Sequence, residues 1–141
     1  MKNVICDIDG VLLDGNQLIE GSDAFINRLL EQGNPLVVLT NYPSQTAGDL
    51  RNRLGAAGID LPESYFYTSA MATAAFLKKQ GGHSENTVIV GDNLHTDILA
   101  GIQAGLETVL VLSGFSSEED VERAAFRPTH IFPNAAAINV V

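Results

Sequence analysis

Three short apolar runs, each ending on polar residues, constrain this chain more than anything else in it. They are Asn3–Ile8, which carries Asp7 near its end, Pro35–Leu39, which stops at Thr40-Asn41, and Thr87–Val90, which stops at Gly91-Asp92. Their apolar residues are consecutive rather than alternating, the pattern of strands buried on both faces of a parallel sheet. Helical segments separate them. Ser22 is expected to cap a helix carrying Phe25, Ile26, Leu29 and Leu30 and ending at Gly33, and Ser44 to open one through Leu50 and Leu54 that closes at Gly58. A helix from Ser69 to about Gln80 and another over Thr96–Ala104, stopped by Gly105, follow the same logic. Further strands are expected at Tyr65–Tyr67, Glu107–Leu112 and, on an edge, His130–Phe132, with a capping box of Ser116 and Glu119 opening a last helix to about Ala125. Leu12–Ile19 reads as a small hairpin turning at Asp14-Gly15. Strands alternating with helices predict a three-layer, doubly wound α/β domain spanning residues 1–141.

Composition narrows the partners. With 141 residues and an apolar share of 45%, the chain can bury one substantial core. No apolar run approaches the ~20 residues needed to span a bilayer, and the N-terminal run contains Asp7, so neither a membrane span nor a signal peptide is expected. One cysteine cannot form an internal disulfide, which makes a cytoplasmic location the simplest expectation. The net charge is −9, and the eight basic residues are scattered, so the basic stripe a nucleic-acid polymer requires is missing. Oligomeric state is not encoded in any pattern found.

In a doubly wound sheet, ligands bind outside the carboxyl ends of the strands. Asp7, Thr40 and Asp92 are all expected there. Asp9 lies just past the first strand and can approach the same point as Asp7. Carboxylates that close repel unless a cation or proton intervenes, and an oxygen-rich site retaining water suits Mg²⁺. With the cation in place, Asp7 can attack phosphorus to form an aspartyl-phosphate. Asp9 can protonate the leaving oxygen and later take a proton from the attacking water. Thr40 offers a hydroxyl, and Asn41 a backbone N–H, to a phosphoryl group. Alone, an Asp-x-Asp pair is most often a turn or a cap. Followed by Thr-Asn after the next strand and Gly-Asp-x-x-x-x-Asp after a later one, it is hard to read that way. Cys6, inside the first strand, reads as a small core residue. His83, His95 and His130 share no ligand spacing, and His95 reads as either a substrate contact or a surface residue.

At this point the chain resembles the haloacid-dehalogenase superfamily. Asp7-Ile8-Asp9-Gly10-Val11 is similar to its first signature, Thr40-Asn41 to its second and Gly91-Asp92-Asn93-Leu94-His95-Thr96-Asp97 to its fourth. Leu39–Gln45 and Thr96–Gly101 resemble the NagD-like nucleotide phosphatases more closely still. The resemblance implies a phosphate monoester hydrolase of small phosphorylated substrates, with Asp7 as nucleophile and Asp9 as acid/base. It implies Mg²⁺ held by Asp7, the Asp9 carbonyl and Asp92, with Asp97 as support behind them and Asn93 beside the phosphate.

Two departures accompany the resemblance. NagD-like proteins carry a large cap domain between the second and third signatures, yet only 49 residues separate Asn41 from Gly91. Their third-signature lysine has no counterpart in place: Lys78 and Lys79 fall near the end of the 69–80 segment, and Thr68-Ser69 take the lysine's position. The Gly81-Gly82 pair joins pre-cap to post-cap sequence, so a cap-deletion junction is expected near 80–83, in an engineered or reconstructed core or a natural capless relative. Weak, poorly selective, Mg²⁺-dependent phosphatase activity is the expectation. The alternative is a capless scaffold or phospho-acceptor domain, comparable in logic to receiver domains, that binds Mg²⁺ and phosphate without efficient turnover. Receiver domains place the acceptor aspartate after a later strand, which favours the hydrolase.

Overall fold

The computed structural model describes residues 1–40, 42, 44–67 and 84–141. The expected 69–80 helix, the Gly81-Gly82 junction, Thr68, Lys78, Lys79, His83 and Asn41 lie outside the described residues.

Six strands form one parallel sheet: β1 (Asn3–Asp7), β4 (Leu36–Leu39), β5 (Phe66–Tyr67), β6 (Thr87–Gly91), β7 (Glu107–Val111) and β8 (His130–Phe132). Their order is β5-β4-β1-β6-β7-β8, so β1 sits between β4 and β6 at the point where the winding reverses. That reversal opens the crevice in which such sheets bind ligands. Residues alternate between faces along each strand. Val4 and Cys6 of β1 join the large core with Val88 and Val90 of β6, while Ile5 and Ile89 pack on the opposite face.

The helices divide accordingly. Helix α1 (Ser22–Glu31) and helix α2 (Ala47–Ala57) bury Phe25, Ile26, Leu29, Leu50 and Leu54 in the large core. A π-helical turn at Leu94–Ile98 leads into α3 (Leu99–Gln103) and, with α4 (Glu118–Arg123), builds a separate cluster of Leu94, Ile98, Leu110 and Val121. The three-layer, doubly wound α/β fold is therefore as the apolar runs indicate.

Several boundaries differ for local reasons. Strand β1 stops at Asp7 because the Ile8 N–H turns back to Asp7 Oδ1 (2.8 Å) instead of a neighbouring strand. The Ile8 carbonyl then accepts from Val11, Leu12 and Leu13, coiling the chain tightly after the strand. In the hairpin, β2 (Leu13–Asp14) pairs with β3 (Gln17–Leu18), so the two-residue turn is Gly15-Asn16 rather than Asp14-Gly15. Of the two turn residues only Gly15 has positive φ (+60), as a turn with glycine at its first central position requires.

Ser22 does not cap α1. It lies inside the first turn, fully buried, and donates to the carbonyls of Leu12 (2.9 Å) and Ile19 (2.5 Å). Gly33 ends the helix as expected: at φ +71 it lets Asn34 N–H reach the Leu29 carbonyl (2.9 Å). Thr46, not Ser44, caps α2 through a reciprocal box with Asp49, and Ser117 with Asp120, not Ser116 with Glu119, caps α4.

Candidate active site

The site begins where β1, β4 and β6 end. Asp7 is the last residue of β1 and is 5% exposed; Asp92 follows β6 and is 7% exposed. Asp97 is buried as well, and oxygens of Asp7, Asp92 and Asp97 lie within 4.8 Å of one another. Each carboxylate is held by backbone geometry. Asp92 Oδ2 accepts the Phe115 N–H (2.7 Å), and its carboxylate lies between two glycines. A Cβ on Gly10 or on Gly114 would fall 2.1 Å from Asp92 Oδ2, so both positions exclude a side chain. Ser113 Oγ donates to the Gly10 carbonyl (2.7 Å), closing this loop onto the turn after β1.

Asp97 reaches the cluster through the π-helical turn. Asn93 Oδ1 caps that turn by accepting the His95 N–H (3.0 Å), and the Asn93 N–H donates to Asp97 Oδ2 (3.1 Å). Ser116 Oγ accepts the Leu94 N–H (2.9 Å). A π turn holds one more residue than an α turn and re-aims the side chains it carries. Gly91 makes the space, since a Cβ there would lie 2.2 Å from that of Asp97. The expected Thr96–Ala104 helix is accordingly a π turn followed by the short α3.

Asp9 is placed differently. Its carboxylate, half-exposed, forms an ion pair with Arg53 Nη2 on α2 (2.6 Å). Asp7, Asp9 and Asp92 face a cleft of about 340 Å³ together with Asn93 and Thr96, and exposed Tyr42 and Phe115 frame it. Thr40 is fully buried at the end of β4, where its Oγ1 accepts the Tyr42 N–H (3.2 Å). His95 does not line the cleft; its ring packs edge-on against Phe126, with centroids 5.9 Å apart.

So many carboxylates in a buried space alter their chemistry. Burial, then the neighbouring charges of Asp97, Asp92 and Asp9, push the Asp7 carboxyl up to about 9 despite its Ile8 hydrogen bond. Burial also raises Asp92, partly opposed by the Phe115 N–H. Burial raises the Cys6 thiol further, and the charges of Asp7 and Asp97 add to it, in keeping with a core residue. A group of acids that favours protonation when bare is one that a divalent cation would relieve.

Two contributors have no signal in the local sequence pattern. The Ser113–Ser116 loop that fixes Asp92 follows β7 and could have been sought as a further strand end facing the crevice. Arg53 meets Asp9 only through the tertiary fold.

Comparison with known proteins decides the family. The profile of the haloacid dehalogenase-like hydrolases matches residues 4–105. Ribonucleotide monophosphatase NagD of Escherichia coli K12 is 35% identical, over 100% of this chain and 99% of its own. The chain belongs to the haloacid dehalogenase-like hydrolases. The solved structure of NagD superposes with a TM-score of 0.92 over 100% of this chain and 99% of NagD. Dihydroxyacetone phosphatase of Corynebacterium glutamicum is 25% identical over 94% of this chain and 88% of its own. The alignment with NagD extends over 248 positions, so a long internal stretch of that enzyme has no counterpart in these 141 residues. Among the described residues, no helix is long and apolar enough to cross a membrane. Resemblance to phosphatases along the whole chain favours the hydrolase reading over the phospho-acceptor one.

Proposed function

We propose that this hydrolase cleaves small phosphate monoesters, a nucleoside monophosphate among them, through an aspartyl-phosphate on Asp7 and with Mg²⁺ as cofactor. The observation that carries the reading is the meeting of Asp7, Asp92 and Asp97 oxygens within 4.8 Å, beside Asp9 and at the strand ends of the crevice. The donors are hard carboxylate oxygens, the ligand type Mg²⁺ takes: Asp7 and Asp92 would hold it together with the Asp9 carbonyl, with Asp97 behind them as support. Bound there, the cation would keep Asp7 ionised and offset phosphoryl charge.

The remaining chemistry belongs to the chain. Asp7 attacks phosphorus as the bond to the leaving oxygen breaks, and Asp9 gives that oxygen its proton. A water then attacks the phosphorus and Asp9 takes a proton from it. The bond from phosphorus to the Asp7 oxygen breaks, releasing phosphate and the free carboxylate. Thr40 and the Asn41 backbone are assigned to the phosphoryl oxygens, with Asn93 beside them.

We read the stretch of NagD that lacks a counterpart as the cap, lost at a junction near residues 80–83. Among the described residues the cleft is framed by exposed Tyr42 and Phe115; without a cap it would exclude water poorly, so turnover is expected to be slow and selectivity low. The test is phosphate release from 4-nitrophenyl phosphate and a ribonucleoside monophosphate, with Mg²⁺ or with chelator, for the parent and Asp7→Asn. Release that depends on both Mg²⁺ and Asp7 is expected. Release that survives chelation or Asp7→Asn refutes the mechanism.

A further inference from the structure

We infer that Arg53 is a positioning residue for proton transfer, fixing which oxygen of Asp9 faces the substrate. Arg53 stands on α2 with its side chain 17% exposed and three of its contacts defined. Nη2 donates to Asp9 Oδ1 (2.6 Å) and to the Gly15 carbonyl, and Nε donates to Asn16 Oδ1 (3.2 Å). The guanidinium thus ties together α2, the hairpin turn and Asp9, which itself bridges to Leu13 at the base of that hairpin.

A carboxyl whose two oxygens can exchange by rotation presents the wrong one part of the time. Arg53 occupies Oδ1, and this leaves Oδ2 as the oxygen for the cleft that Asp9 lines. The hairpin contacts hold the guanidinium in turn, so the orientation does not depend on a single flexible side chain. Arg donates from a rigid planar fork, whereas Lys offers a point charge on a flexible stem. This role rests on the reading of Asp9 as the acid that protonates the leaving oxygen as the bond from phosphorus to that oxygen breaks.

Two esters separate positioning from simple structural support. The leaving group of 4-nitrophenyl phosphate departs with little need of a proton, whereas ethyl phosphate requires one. With saturating Mg²⁺, Arg53→Ala is expected to lower kcat on ethyl phosphate by roughly 10- to 100-fold, a part of the roughly 100- to 10,000-fold that general acid catalysis supplies, because Asp9 itself remains. On 4-nitrophenyl phosphate the fall should be under about threefold, with KM changed little for either ester. Arg53→Lys should recover part of the ethyl phosphate rate. Arg51→Ala, at an exposed arginine of the same helix, should keep the ratio of the two rates.

An equal fall on both esters, with thermal melts confirming the fold, overturns the inference. If Asp9→Asn changes the ratio and the Arg53 variants do not, only the role of Arg53 fails. If Asp9→Asn leaves the ratio unchanged, or neither ester is turned over in an Asp7-dependent way, the assignment of Asp9 fails and that of Arg53 with it.

Discussion

Replacing Asp7 with asparagine keeps the size of the side chain and an oxygen able to accept the Ile8 N–H, now at 2.8 Å, but removes an acid from a crowded site. In the parent, burial and the neighbouring carboxylates raise this group from 3.8 to about 9. A group whose folded-state value lies above its unfolded one adds its full stability below the unfolded value and loses it as pH rises toward the folded one. The window therefore runs from 3.8 to about 9. Each pH unit inside it corresponds to about 1.4 kcal/mol, so between pH 5 and pH 8 the metal-free parent loses up to ~4 kcal/mol that Asp7→Asn retains. For a domain of this size, about 2–4 °C accompanies each kcal/mol. Melts followed by circular dichroism in chelator at pH 5, 6.5 and 8 should show the variant increasingly more stable than the parent. Saturating Mg²⁺ should narrow or reverse the gap, because a ligand at a hundred times its Kd adds about 2.7 kcal/mol to the protein that binds it. A difference in Tm that stays constant with pH, or a variant no more stable than the parent at pH 8, would refute the account of the crowded cluster.

Gly114→Ala should abolish activity while leaving most of the fold, since its Cβ would meet Asp92 Oδ2 at 2.1 Å; Mg²⁺ titration by calorimetry would show the binding heat lost. Phe25→Ala, which empties a fully buried position, should lower stability by about 3–5 kcal/mol in urea unfolding. Thr46→Ala, which removes the cap of α2, should lower it by about 1 kcal/mol in the same assay. Burial tends to raise the Glu107 carboxyl, but hydrogen bonds from Lys2 and His130 more than offset it and leave it below its ordinary 4.5. That stabilisation is present above the ordinary value and disappears as pH falls through the lowered one. Lys2→Met should therefore cost stability at pH 6.5, and the cost should shrink as pH is lowered, read from urea midpoints at each pH.

The fold was legible because burial on both faces leaves a mark on consecutive residues: Val4-Ile5-Cys6 and Val88-Ile89-Val90 divide between the two faces and are apolar throughout. Caps were less so. Ser and Thr recur ahead of the helices, and only a reciprocal partner distinguishes Thr46 with Asp49 from Ser44 two residues earlier. The acids were legible as residues but not as an arrangement. The sequence places Asp9 just past the first strand, free to approach the same point as Asp7. Where its carboxylate goes is set by the coil that begins as Ile8 turns its N–H back to Asp7, which the spacing does not encode. Its carboxylate meets Arg53, 44 residues away, while Asp97 comes to Asp7 and Asp92 by a π turn and a missing Cβ at Gly91. Neither meeting follows from local pattern, because both depend on how two segments pack. The division also has a chemical sense. The three acids brought together are buried, where a cation would be held, and the acid kept apart, half-exposed at the cleft, is the one to which we assign proton exchange with substrate and water.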